Sequence, residues 1–355
     1  MESVKYVGLD VHQATISVAV MSGQGRLLMT SVVATKASAI VELLGGVRGA
    51  VHVTFEEGTH SAWLYDVLAG RVASVVVCNP RKNALLKSGS KSDAIDARKL
   101  ADLLRSGMLS PVYHGETSAR GLQHLMRSYM ALTEYTTRVM ARLKALYRGQ
   151  AISCAGQRLY AARRRDEWLG KLEEAGLRRR AERLFEELDL LQRLRRQARR
   201  DVVQESNRHA AVKVLRTVPF LGPLRAATLV ARVQTPHRFR TKRQFWSYCG
   251  LALETRSSAD YRFEGGELVR RSRAVWVRGL NWNHNHELKN VFKSAATTAS
   301  FTQGPLRDFY QRRIDQGMQP ALARLTLARK IAAIALALWK KGVCFDPEQL
   351  KQQAA

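Results

Sequence analysis

The period of apolar positions changes along this chain, and each change marks a region. Over the first eighty residues the apolar runs are short and rich in β-branched residues: VKYVGLDV, ATISVAVM and RLLMTSVVA. Polar HQ separates the first two runs, and SGQG, a hairpin-grade turn, separates the second pair. A helical pattern over 37–46 follows, then a strand (VHVTFE), a helix (HSAWLYDVLAG) and a strand with the character of a buried one (VASVVVC). The predicted order βββαβαβ implies a mixed sheet with helices packed on it.

A three-strand meander followed by αβ units is the ribonuclease-H-like arrangement. From residue 114 to about 205 strand patterns vanish and Leu, Arg, Glu and Ala dominate. LQHLMRSYMALTEYTTRVMARLKALYRG carries apolar residues at helical spacing, as does the long run from WLGKLEEAGL to RRDVVQES. Leu184, Leu188, Leu191 and Leu194 step by four or three, as a packing stripe does. Two architectures satisfy this: a helical hairpin with a solvated basic face, or a coiled coil for self-association that also tracks a phosphate backbone. Either gives a helical spacer. Beyond it, KVLRTVPFLGPLRAATLVARV reads as helix, tight turn and helix, with Pro219 and Gly222 in the turn, and resembles a helix–hairpin–helix element. Residues 305–341 read as two helices, the second (LARKIAAIALALWKK) an apolar core helix. The expected domains are 1–113, a mixed α/β sheet; 114–205, a helical spacer; and 206–355, mainly helical.

Charge changes the picture. The 355 residues hold 58 Lys+Arg against 30 Asp+Glu, a formal net charge of +28, which calls for a polyanionic partner and salt-sensitive binding. A membrane surface is the alternative polyanion, but no apolar run approaches the ~20 residues of a spanning helix, and no secretory signal is visible. Cys78, Cys154, Cys249 and Cys344 are far apart without CxxC spacing, the usage of reduced cytosolic thiols. Against this basic background four acids stand out. Asp10 ends VKYVGLD, Glu56 ends VHVTFE, and Asp93 and Asp96 lie three apart in KSDAIDARKLADLL, on one helix face that Ala97, Leu100 and Leu104 tie to the core. Ser90 or Ser92 can cap that helix. A carboxylate at the end of a central apolar strand is costly unless paired, and a divalent cation offsets the cost. Mg²⁺ (or Mn²⁺) takes oxygen ligands with substrate phosphates completing the shell, so the set fits phosphodiester chemistry on nucleic acid. Glu57 competes with Glu56, and strand alternation puts the two on opposite faces.

The carboxyl-terminal region interleaves aromatics with cations in HRFRTKRQFWSYCGLALETRSSADYRFEGGELVRRSRAVWVRGLNWNHNHELKN. Arg238, Arg240, Lys242, Arg243, Arg256, Arg262, Arg278, Asn281, Asn283 and His284 are the candidate nucleic-acid contacts. Two histidines at i and i+2 with no nearby cysteine are poor zinc spacing. Ser257 and Ser258 lie in a polar loop. On the residues alone they are ordinary loop serines, because a serine needs a base, a metal or positive surroundings to become a nucleophile.

These segments together resemble the IS110-type transposases, recombinases of insertion sequences. GLDVHQA resembles the first Asp motif, FEEGTHSAWLY the Glu motif and KSDAIDARKLA the paired-Asp motif of an amino-terminal RuvC-like domain with a DEDD tetrad. VPFLGPLRAATLVA, FWSYCGLALETRSSADYR and RGLNWNHNHELKNVFKSAA resemble the family's carboxyl-terminal domain. The resemblance implies a metal site of Asp10, Glu56, Asp93 and Asp96, choosing Glu56 over Glu57. It implies a serine nucleophile at Ser258 that links covalently to DNA; Ala259 stands where the family usually has Gly, which keeps Ser257 as the alternative. It implies that metal site and serine act on one phosphodiester, within a dimer or tetramer, in the bacterial cytoplasm at the nucleoid. It also implies a structured noncoding guide RNA that pairs with donor and target DNA. The alternative is a metal-dependent endonuclease of the Holliday-junction type that forms no covalent intermediate.

Overall fold

The computed structural model describes residues 3–82, 92–115, 119–256, 261–270 and 276–347. The chain divides into two compact units, 1–115 and 116–355.

The first unit runs β1 (Lys5–Val11), β2 (Thr15–Ser22), β3 (Leu27–Ala34), α1 (Ala37–Gly45), β4 (Val51–Glu56), α2 (Ser61–Leu68), β5 (Ser74–Cys78) and α3 (Asp93–Arg105). The βββαβαβ order is the expected one. The five strands form one mixed sheet in the order β3-β2-β1-β4-β5. β1 is antiparallel to β2 and parallel to β4, and β5 continues the parallel side. Alternation separates the two faces. Val7 and Leu9 of β1, Val18 and Val20 of β2, and Val53 and Phe55 of β4 share a core with Ile40 and Leu44 of α1 and Leu64 and Leu68 of α2. The other face carries Gly8, Asp10, Thr54 and Glu56 and receives α3, whose Leu100 and Leu103 cluster with Cys78.

Gly8 sets how closely α3 lies on the sheet. A Cβ at this position would fall 2.0 Å from the Ala97 carbonyl oxygen and 2.6 Å from the Ala101 backbone nitrogen. Both neighbours are backbone, so no rotamer change relieves the clash. Gly8→Ala is therefore expected to lift α3 off the sheet and to destabilise the first unit by about 3 kcal/mol or more, the upper end of overpacking costs. A denaturant midpoint within error of the wild type would contradict this packing.

In the second unit α4 (Arg120–Arg148) is followed by α5 (Arg165–Leu169) and α6 (Ala175–Ser206). α4 and α6 are antiparallel: Val139, Leu143 and Tyr147 near the end of α4 share a core with Phe185 and Leu188 near the start of α6. Leu122 and Met126 at the start of α4 meet Val202 at the end of α6 in a second core, which also holds residues from 212 onward. Leu184, Leu188 and Leu191 of the leucine stripe are buried in the first of these cores, against α4 of the same chain. The stripe thus does its packing inside the hairpin. The hairpin's base is continuous with the carboxyl-terminal core.

The rest comprises α7 (Ala210–Arg216), α8 (Pro223–Val233), α9 (Lys242–Tyr248), β6 (Leu253–Arg256), β7 (Tyr261–Glu264), β8 (Glu267–Arg270), β9 (Trp276–Leu280), α10 (His286–Phe301), α11 (Pro305–Asp315) and α12 (Pro320–Lys341). α7 and α8 flank the tight turn read from Pro219 and Gly222. Pro223 opens α8 in the first helical position, and the Arg225 guanidinium donates to the Phe220 carbonyl at 2.7 Å. The region is mainly helical, as expected, and two short antiparallel ribbons, β6–β9 and β7–β8, interrupt the helices. α12 buries Leu327, Ile331 and Leu336 in the core, as expected of an apolar core helix. Among the described residues no helix is long and apolar enough to cross a membrane.

Candidate active site

The register of β1 and β4 builds the site. Leu9 pairs with Phe55 across the parallel ladder, so the next residues, Asp10 and Glu56, fall side by side at the carboxyl ends of adjacent strands and on the α3 face. The crevice beyond such strand ends is the usual ligand position of open α/β sheets. α3 brings the other two acids. Ser92 is its N-cap, its hydroxyl accepting from the Ile95 N–H at 3.3 Å, so Asp93 and Asp96 sit in the first turn, where the helix dipole favours negative charge. Ala97, Leu100 and Ala101 bury the same side of the helix, with Leu103 more buried than Leu104.

Asp10, His12 and Asp93 each bring a ligand atom within 4.8 Å of the others. The His12 Nε2 lies 3.1 Å from Asp10 Oδ2 and 3.6 Å from Asp93 Oδ1. The turn between β1 and β2 holds this histidine: its N–H donates to the Thr15 carbonyl and its carbonyl accepts from the Thr35 hydroxyl, both at 2.9 Å. Asp96 and Glu56 stand outside that close group. Among the described residues Asp96 Oδ1 is buried without a hydrogen-bond partner, Lys99 Nζ being 4.0 Å away. An acceptor in that state carries a desolvation cost that an added positive charge offsets. Glu56 ends β4 opposite Cys78 of β5. Glu57 is engaged elsewhere: its carboxylate meets His114 Nε2 at 2.6 Å, and that imidazole packs on Tyr65.

Burial raises the Asp10 pKa from the ordinary 3.8; the hydrogen bond and charge of His12 oppose the rise, and the charges of Asp93 and Asp96 add to it. The donor set of carboxylates around a desolvated acid and a partnerless oxygen fits a hard divalent cation. His12 was not among the residues picked out by sequence reasoning. Its signal was its place two residues after Asp10, which in extended chain returns the side chain to the same face.

The second unit holds the other candidate residues. Ser258, with Ser257, lies outside the described residues. Arg256, Arg262 and Arg278 have their backbones in β6, β7 and β9, and their side chains lie outside what is described. Lys242 and Arg243 are exposed in the first turn of α9, as is Arg240 just before it. Cations there oppose the helix dipole, a cost that a bound polyanion removes. The Arg238 guanidinium lies over the rings of Phe239 and Tyr248 at 5.1 and 4.8 Å. Asn281 braces its own turn, accepting from the Asn283 N–H at 2.8 Å and donating to the Asn283 carbonyl at 3.2 Å. His284 is half-buried against Gly250, where a Cβ would come within 2.4 Å of the ring; its Nδ1–H donates to the Asn281 carbonyl, and burial lowers its pKa. Asn283 is exposed, as is Trp282 beside it, at 85%.

Residues 7–149 match the DEDD transposase family of IS110 type, and residues 212–311 match the family described as Transposase IS116/IS110/IS902. Over 143 residues the chain is 27% identical to the Insertion element IS116 uncharacterized 44.8 kDa protein of Streptomyces clavuligerus. That stretch is 40% of this chain and 33%, one third, of the relative's length.

The Asp10 shift has a consequence for stability. In metal-free buffer the folded protein retains a proton that the unfolded chain has lost just above pH 3.8, so stability falls as pH rises through that window and stays lower above it. Asp10→Asn removes the penalty. Calorimetry in EDTA at pH 7 is expected to show the variant melting above the wild type, and added Mg²⁺ or Mn²⁺ to raise the wild-type midpoint but not the variant's. A variant that melts lower without metal would contradict this account of Asp10.

Proposed function

Because the chain belongs to the IS110 family of transposases, we propose that it is the recombinase of an insertion element and cuts and rejoins DNA strands. The observation that carries this proposal is the convergence of acids in a chain of net charge +28: Asp10 and Glu56 on neighbouring strand ends, under the helix turn that bears Asp93 and Asp96. In this reading the sheet domain (1–113) is RuvC-like, the helical hairpin (114–205) is a spacer, and 206–355 carries the serine and most of the grip on nucleic acid. The element around Pro219 and Gly222 would meet phosphate as a helix–hairpin–helix does.

Asp10, Glu56, Asp93 and Asp96 would hold Mg²⁺ or Mn²⁺, with His12 steadying Asp10 and Asp93. When bound, such a cation offsets the charge that develops on the phosphoryl oxygens of an in-line displacement. The chain's own residues do the rest. Ser258 Oγ attacks phosphorus, loses its proton and displaces the oxygen of one strand end, which leaves as a hydroxyl. The resulting phosphoserine ester conserves the bond energy. A hydroxyl of a second strand then attacks the same phosphorus and returns the serine. Exposed cations at Arg240, Lys242 and Arg243 hold the backbone. We assign a structured noncoding guide RNA as a further partner, supported by a basic surface bearing aromatics on which unpaired bases stack. Assembly as a dimer or tetramer, and action at the nucleoid, belong to the same proposal.

The test separates the two chemistries. With labelled DNA carrying the element's junctions, its guide RNA and Mg²⁺ or Mn²⁺, Asp10→Asn and Asp96→Asn should each lower strand exchange about 10²- to 10³-fold, on the scale of losing a principal electrostatic contact, while nucleic-acid binding changes little. Ser258→Ala should remove the covalent protein–DNA adduct from denaturing gels. An adduct that persists assigns the attack to Ser257 or elsewhere. Cleaved ends without any adduct in the wild type favour the metal-dependent endonuclease.

A further inference from the structure

Within the second unit, the ribbon β6–β9 and the helices α10 and α12 enclose an open cavity of about 520 Å³. Its walls combine features that rarely share a surface. Leu253, Leu322 and Leu325 line it, and the first two are 46% and 54% exposed. Lys289, Lys293 and Arg324 line it as well, with no acidic residue among the lining groups. None of the ion pairs among the described residues uses these three cations. Left to water, such a cleft exposes apolar area and crowds three like charges. One kind of occupant relieves both: a flat apolar body attached to an anion.

We propose that this cleft receives an unpaired nucleotide of the DNA strand being cut, with its base against the leucines and its phosphates on Lys289, Lys293 and Arg324. Lys289 and Lys293 lie one turn apart on α10, about 6 Å along its axis, so they reach successive positions of a strand. The cavity is within the range of small-molecule sites, and a base enters such a cleft only when out of the duplex stack. The position favours DNA near the cut. Leu253 of β6, which lines the cleft, precedes Ser258 by five residues in the sequence, so the chain between them spans at most about 18 Å. That distance is a few nucleotides of strand. The proposal rests on the recombinase reading for the identity of the strand, but not for its test.

The test is binding by the full chain in EDTA, where no cutting occurs, to a single-stranded DNA 20-mer, the same sequence as RNA, and the DNA duplex. Lys289→Gln with Lys293→Gln is expected to weaken single-stranded DNA binding about tenfold. It should also lower the slope of log affinity against log salt by about 1.4, two single-strand phosphate contacts, and leave duplex affinity within about twofold. With the wild type, 5-iodouracil in the single strand should crosslink to peptides spanning 251–253, 279–297 or 321–328. Equal losses on duplex and single strand would reduce the cleft to general basic surface and overturn the proposal. So would tenfold tighter binding of the RNA, lost in the same variant, or a variant whose self-association changes while its DNA binding does not. If Ser258-dependent adducts form normally while the cleft neither crosslinks nor responds to substitution, the cleft assignment fails alone. If the cleft binds as expected and no adduct forms, the recombinase reading fails instead.

Discussion

The candidate active site depends on one close approach, that of α3 to β1 at Gly8. The two faces of the sheet are built for different ends. One face carries Val7, Leu9, Val18, Phe55 and the leucines of α2, and each such side chain fully buried contributes about 1.5–3 kcal/mol. The α3 face is built from small residues: Gly8 paired with Ala19, Ser17 opposite Asp10, Thr54 next to Glu56, with Ala97 and Ala101 on the helix. It yields less apolar burial and gains proximity. The first turn of α3 comes down over the ends of β1 and β4 because nothing larger holds the backbones apart. Thr54 is fully buried on this face and satisfies its hydroxyl by donating to the Val76 carbonyl at 2.7 Å. A larger residue at Gly8 would leave every acid in the sequence and still separate them in space.

Much of this was legible in the sequence, and what was not has physical causes. Strands β1, β2, β4 and β5 declared themselves because each buries residues in a core, whereas β3, none of whose residues is buried, was marked by its β-branched run and the turn before it. Asp10 and Glu56 stood out because an acid at the end of such a run breaks its pattern. Alternation separates Glu56 from Glu57 once the register is known: Glu56 lies on the α3 face, while Glu57 pairs with His114. His12 escaped notice because a histidine in a polar turn has no pattern to break. The strands β6 to β9 escaped because two-stranded ribbons bury too little to impose a period; Phe263 and Leu268 are paired neighbours and both largely exposed. The Gly-Gly in FEGGEL was the available sign of a hairpin there. The leucine stripe of α6 gave its period but not its partner, since a seam between two helices of one chain and a seam between two chains have the same spacing. Helix α4 is the partner. Ser258 remains a matter of resemblance to a family.

The distribution of ion pairs bears on why the acids of the first unit are placed as they are. With nearly two cations per acid, several of the described carboxylates meet a guanidinium or ammonium group. Asp102, Glu134, Asp189, Glu205 and Glu287 do, through Arg105, Arg138, Arg165, Arg208 and Arg232. An arginine holds a carboxylate with both oxygens in a fixed plane, as Arg232 holds Glu287, and a carboxylate so held has little left for a metal ion. Among the described residues the ion pairs of Asp10 and Asp93 are with His12, and that of Asp96 is a 4.0 Å approach of Lys99. An imidazole offers each carboxylate one nitrogen and yields it readily; a lysine at 4.0 Å offers charge without a hydrogen bond. Among the described residues these three acids thus have no arginine partner. That condition is what a site for an incoming cation and an incoming phosphate requires. In so basic a protein it calls for arginine to be kept away, and β1, the β1–β2 turn and the first turn of α3 supply no arginine within reach of it.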